Sequence, residues 1–297
     1  MRAFSILAIV AAGLFACSTA PAIGLAPAPS ELTVQVKQGG WGTARTPDIQ
    51  AVLESVAAVL GPYFPQRTSN RVVVAFSSEG PRVLFDKSAD GAYIVLLNVQ
   101  GTRWDQFAYQ FSHELCHIFT NYEHRKTETQ NRDHQWFEES LCEMVSLFTL
   151  DRMASRWEQS PPNAHWQDYA PAFREYAGRL LDEQHRRWPA NTTIADWYGE
   201  NQAQLEDNPY LRDRNAFVAR QLLALLDSVP DAMATLGYLN LENSNSDRSF
   251  AAYLASWRSC CPKEKRDFVN RVISLFETGR GNDKATAALA VSRDLAY

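Results

Sequence analysis

At 297 residues the chain is long enough for one large domain or two lobes around a sizeable core. Hydrophobic residues make up 45% of it, ordinary globular usage, and the formal net charge is −5 with no long basic run, so composition argues against a nucleic-acid partner. Two short clusters, Glu123-His124-Arg125-Lys126 and His185-Arg186-Arg187, are flanked by acids and read as solvated faces.

Residues 1–20 read as a targeting segment. Met1-Arg2 gives a positive start, and Ala3 to Ala16 an apolar stretch too short for a comfortable membrane span. Leu14-Phe15-Ala16-Cys17 resembles a bacterial lipobox, which implies lipidation of Cys17 and membrane contact only through that anchor. Cleavage near Ala20 or Ala22 is the competing reading; both imply export to the periplasm or cell envelope. Residues 21–31, rich in Ala and Pro, read as a linker.

Leu32 to Val36 alternates and predicts a strand, broken by Gly39-Gly40-Trp41-Gly42. Thr46-Pro47-Asp48 opens a helix whose stripe is Ile49, Val52, Leu53, Val56 and Leu60, ending at Gly61-Pro62. Arg71 to Phe76 predicts a buried strand, residues 82–85 a short one, and Ala92 to Asn98 a third. Residues 103–121 lack Gly and Pro, and Trp104, Phe107, Ala108, Phe111, Leu115, Ile118 and Phe119 recur at helical spacing.

That helix carries His113-Glu114-Leu115-Cys116-His117, an H-E-x-x-H motif. Residues four apart share a helix face, so His113 and His117 can grip one metal ion. Neutral imidazole nitrogens suit zinc. Glu114 can reach a metal-bound water and act as general base. A hydrolytic zinc site needs a third protein ligand. Residues 136–145 supply one on the next apolar-periodic segment: Glu139, with 21 residues between it and His117. Glu143, one turn further, can accept the free ring N–H of a ligand histidine, with His113 the expected partner.

H-E-x-x-H followed by Trp136-Phe137-Glu138-Glu139-Ser140-Leu141-Cys142-Glu143 resembles the gluzincin metallopeptidases, in the M1-type and peptidase MA-like branch, over about residues 70–150. Ser140 stands where the family usually has glycine, and the ligand spacing is longer. The resemblance implies His113, His117 and Glu139 as ligands of one zinc ion, Glu114 as base, and a peptide or protein substrate. It also implies an open sheet edge along the cleft, formed by the strand before the motif helix, Ala92 to Asn98. Gly91-Ala92-Tyr93-Ile94-Val95 lacks the Glu that holds a substrate's free amine in aminopeptidases, which argues against a classical aminopeptidase. Asn208-Pro209-Tyr210 resembles the segment carrying the transition-state tyrosine, which makes Tyr210 the expected oxyanion donor and Tyr198 the runner-up; His134 and His165 are weaker choices.

The remaining chain predicts helices over 168–187, 194–203, 209–228, 231–238, 247–258 and 262–279. The fold class expected is α+β: a sheet-containing lobe over 32–150 that carries the histidine motif, a mostly helical lobe over 151–280, and a tail over 281–297. Cys116 and Cys142 either cross-link the two metal helices or pack as small buried residues. Cys260 and Cys261 form a vicinal bridge or merely pack. Two functions follow: an exported zinc metallopeptidase, or an envelope scaffold that keeps such a fold without turnover. Intact Glu114 favours the first.

Overall fold

A computed structural model describes residues 32–67, 70–124, 133–188, 192–241 and 249–277. The targeting segment with Cys17, the linker and the 281–297 tail lie outside the described residues. Val34 and Val36, alternate residues of β1 (Thr33–Val36), point into the core. α1 (Thr46–Leu60) buries Ile49, Val52, Leu53, Val56 and Leu60, the stripe its periodicity predicts, with Pro47 in the first turn. Between them Gly40 has φ +85, and a Cβ there would lie 2.4 Å from the Phe76 ring. Only glycine lets the loop pass that closely while Trp41 turns inward against Phe76 and Phe107.

β2 (Arg71–Phe76), β3 (Arg82–Val83) and β4 (Tyr93–Leu97) complete a four-stranded sheet of order β1-β2-β4-β3. The first two pairings are parallel and the last antiparallel, with Val83 opposite Val95. The expected open edge at Ala92–Asn98 is therefore corrected. β4 is an inner strand, because Gly91 (φ +80) belongs to a hairpin that folds β3 onto its outer side. β3 is the cleft-side edge.

α2 (Trp104–Phe119) and α3 (Gln135–Gln159) pack through small residues. Ser112, Cys116, Cys142 and Ser146 are fully buried, and the Ser146 hydroxyl donates across to the Tyr109 carbonyl at 3.1 Å. α4 (Ala170–Leu181), α5 (Ile194–Asp207), α6 (Arg212–Asp227), α7 (Phe250–Cys260) and α8 (Arg266–Glu277) make up the helical part. The helix predicted over 231–238 winds as the tighter 3-10 form, over Pro230–Tyr238. α3 and α6 pack together, and α3 runs unbroken through the expected 150/151 division; the described residues form one compact unit. The class is α+β, predominantly helical with one small sheet.

Candidate metal centre and cleft

Helical spacing on α2 sets His113 and His117 on one face, and α3 presents Glu139 opposite them. Oε2 of Glu139 lies 3.1 Å from Nε2 of His113 and 3.6 Å from Nε2 of His117. One ligand atom from each of the three lies within 4.8 Å of the others, the only such group found among the described residues. Tetrahedral bonds of about 2.0–2.2 Å put ligand atoms roughly 3.3 Å apart. The observed spacings and the N, N, O donor set fit an ion of that kind, so the group can hold a metal.

The same geometry shifts the pKa values of the group's own residues. Burial by itself would raise the Glu139 carboxyl, but the two histidines outweigh it and hold it well below the usual carboxylate range. Burial disfavours charge on His117, yet Glu139 and Glu138 raise its pKa well above the ordinary histidine value. Glu114 is 4% exposed, and burial pushes its pKa up; His113, His117 and the Val83 backbone work the other way without cancelling it. A carboxyl raised towards neutrality suits a proton-transfer base.

The expected role of Glu143 is corrected. Its carboxylate accepts from the Tyr109 hydroxyl and from Nη2 of Arg186 (2.6 Å), not from a histidine. Arg186 is 1% exposed, so the reading of His185-Arg186-Arg187 as a solvated face is also corrected: the 3-10 turn at 184–186 folds this cation inward to neutralise Glu143. Orientation of a ligand histidine falls instead to Glu138, whose Oε1 lies 2.7 Å from Nδ1 of His117. Glu138 is in turn held by Nδ2 of Asn240 (2.8 Å), and Asn240 accepts from the Tyr253 hydroxyl (2.9 Å). Left-handed backbone at Asn121 and Asn240 joins the end of α2 to residues 237–240: Asn121 donates to the Leu239 carbonyl (2.7 Å) and Asn240 to that of Thr120 (2.9 Å). The adjacent carboxylates Glu138-Glu139 were the available sequence signal, since neighbouring helix residues point about 100° apart.

A cleft of about 560 Å³ opens over these residues. Val83 and Phe85 form one wall, and Tyr210, Arg212 and Asn215 another. Tyr210 stands in the turn before α6. Its backbone N–H donates to Asn208 Oδ1 (3.0 Å), and Gln135, one turn before Glu139, donates to its hydroxyl (2.9 Å). Tyr198, the runner-up, is not in the cleft wall; it stacks on Trp136 in an aromatic cluster. His134 packs on Phe250 and Tyr253, and His165 is exposed on a 3-10 turn; neither borders the cleft.

Cys116, Cys142 and Cys261 are free thiols, so neither expected disulfide is formed. Cys116 and Cys142 are fully buried, and burial and then the Cys116 thiol raise the Cys142 pKa. Cys261 donates to the Thr235 carbonyl and is pushed up to about 12 by burial. Packing is thus the role the geometry gives these residues.

The fold and site define an α+β protein in which a two-histidine, one-carboxylate group that could hold a metal ion lines a cleft. Neither the protein-family models nor the curated proteins include a match to this sequence.

Proposed function

We propose that the chain is a zinc-dependent metallopeptidase of gluzincin type, exported to the bacterial envelope and anchored there through Cys17. The observation that carries this reading is Glu114 beside the His113-His117-Glu139 group, buried yet bordering the cleft. A metal-binding site built for structure alone has no need of that carboxylate. A zinc ion held by the three ligands would supply Lewis acidity towards a scissile carbonyl and an attacking water. Glu114 takes the proton of that water and delivers it to the leaving amine. The Tyr210 phenol, which accepts from Gln135 and borders the cleft, is the donor we assign to the developing oxyanion. The short edge strand β3 offers main-chain groups to an extended peptide.

Metal analysis of protein purified without added zinc tests this reading. Wild type should carry about one zinc per chain, and His117→Ala and Glu139→Ala should carry none. A peptide-library digest with Glu114→Gln as control then tests turnover. Zinc without any Glu114-dependent cleavage would leave a non-catalytic envelope scaffold as the better reading.

A further inference from the structure

Four carboxylates and two arginines border the cleft. Most are already engaged: Glu139 by the histidines, Glu138 by His117 and Asn240, Glu143 by Tyr109 and Arg186, and Arg82 by Glu79 at 2.6 Å. Glu114 accepts from the Val83 backbone, which leaves Arg212 as the exception. Its guanidinium makes one long contact, 3.4 Å to the Tyr109 hydroxyl, and has no carboxylate partner among the described residues. It feels Glu143 through space, but the oxygens of Glu143 are taken.

Its position relative to the metal group follows from helix geometry. Tyr109 precedes His113 by four residues on α2, and Glu143 follows Glu139 by four on α3. Each pair shares a face about 6 Å apart along its axis. The Tyr109-Glu143 pair therefore forms a second rung beside the metal rung, and Arg212 caps it from α6. Arg186, buried behind Glu143, ties up that carboxylate and keeps it from folding onto Arg212.

We propose that Arg212 is a specificity-determining residue that receives a carboxylate of the substrate, within one or two residues of the bond cleaved. A guanidinium presents a planar fork that matches a carboxylate, and a carboxylate is the group the cleft leaves this one without. The inference rests on the metallopeptidase reading and names its substrate class: peptides carrying a free C-terminal carboxylate or an acidic side chain near the scissile bond.

Calorimetric binding to the zinc-loaded full chain bearing Glu114→Gln tests it without turnover. The probes are N-acetyl-trialanine with a free C-terminus, its C-terminal amide, and N-acetyl-Ala-Asp-Ala amide. One carboxylate probe should bind about tenfold tighter than the neutral amide, and the preference should vanish in Arg212→Ala and weaken in Arg212→Lys. Preference for the free acid identifies the C-terminus, and preference for the Asp probe an acidic side chain. Equal binding of all three, no binding of any, or a preference that survives Arg212→Ala overturns the proposal. Cleavage by the Glu114 protein without carboxylate preference would sink this inference alone. Carboxylate-dependent binding without cleavage would sink the peptidase reading alone.

Discussion

Glu138 and His117 meet at 2.7 Å between Oε1 and Nδ1, which leaves Nε2 of the histidine directed at Glu139. The residue beside the expected ligand, one helix step away, thus fixes the ring that the ligand needs fixed. Carboxylates behind metal-bound histidines typically contribute 10–100-fold to affinity. Glu138→Ala should therefore weaken zinc binding by about that factor, while Glu143→Gln should change it by less than about threefold. Competition with a chromogenic chelator measures both, and equal losses in the two variants would contradict the assignment.

Glu143 serves stability. Its partner Arg186 is 1% exposed and Glu143 itself 5%. Removing one member of a buried ion pair leaves an unpaired buried charge, at about 3–5 kcal/mol. Glu143→Ala should lower the unfolding free energy read from urea denaturation by that amount, with metal content retained. Arg186→Met paired with Glu143→Leu should recover much of the loss, since an apolar pair leaves no orphan charge.

The two tyrosine candidates separate cleanly. Tyr210 is 53% exposed and borders the cleft, whereas Tyr198 lies within an aromatic cluster. With a cleavable peptide in hand, Tyr210→Phe should lower kcat by roughly 10²-fold with little change in KM, the usual effect of losing one oxyanion donor. Tyr198→Phe should leave kcat unchanged. A full rate in Tyr210→Phe would remove the phenol from the mechanism.

Acid stability should depend on Glu123. Burial opposes charge on it, but the hydrogen bond from Tyr93 (2.5 Å) and the Arg67 guanidinium (2.9 Å) outweigh burial and hold its carboxyl below the usual range. With a depressed folded value, its contribution is complete above the unfolded pKa of about 4.3 and is lost as pH falls through the lower folded value. Glu123→Gln should then cost about 1–2 kcal/mol at pH 7 and little at the acid end. Urea unfolding of both proteins across pH shows it; a gap that stays constant with pH would refute the linkage.

Much of the fold was legible along the chain, because it depends on local periodicity. The stripe of α1 and the uninterrupted run of α2 each bury the face their spacing predicts, while β2, read as a buried strand, buries only Val72 and Val74. The histidine pair was legible for the same reason: four residues on a helix is a local geometry. Glu139 was legible through its place on an apolar-periodic segment, a weaker signal that the packing of α2 on α3 made good. Arg186 read as solvent-facing because nothing near it in sequence shows that a turn carries it to Glu143, 43 residues away. The β4 edge was misplaced because strand order depends on which strand the Gly91 hairpin covers, a pairing between segments.

By itself the sequence determined the helix that pairs His113 with His117, the carboxylate of Glu114 between them, and the α+β class, all consequences of spacing and burial within one element. Only the tertiary structure decided which carboxylate supports which partner, Glu138 behind His117 and Glu143 behind Tyr109 and Arg186, and that Arg212 borders the cleft with no acidic partner among the described residues. The physical reason is distance: a buried charge must find its counter-charge in space, and the counter-charge comes from whichever distant segment the packed core brings alongside.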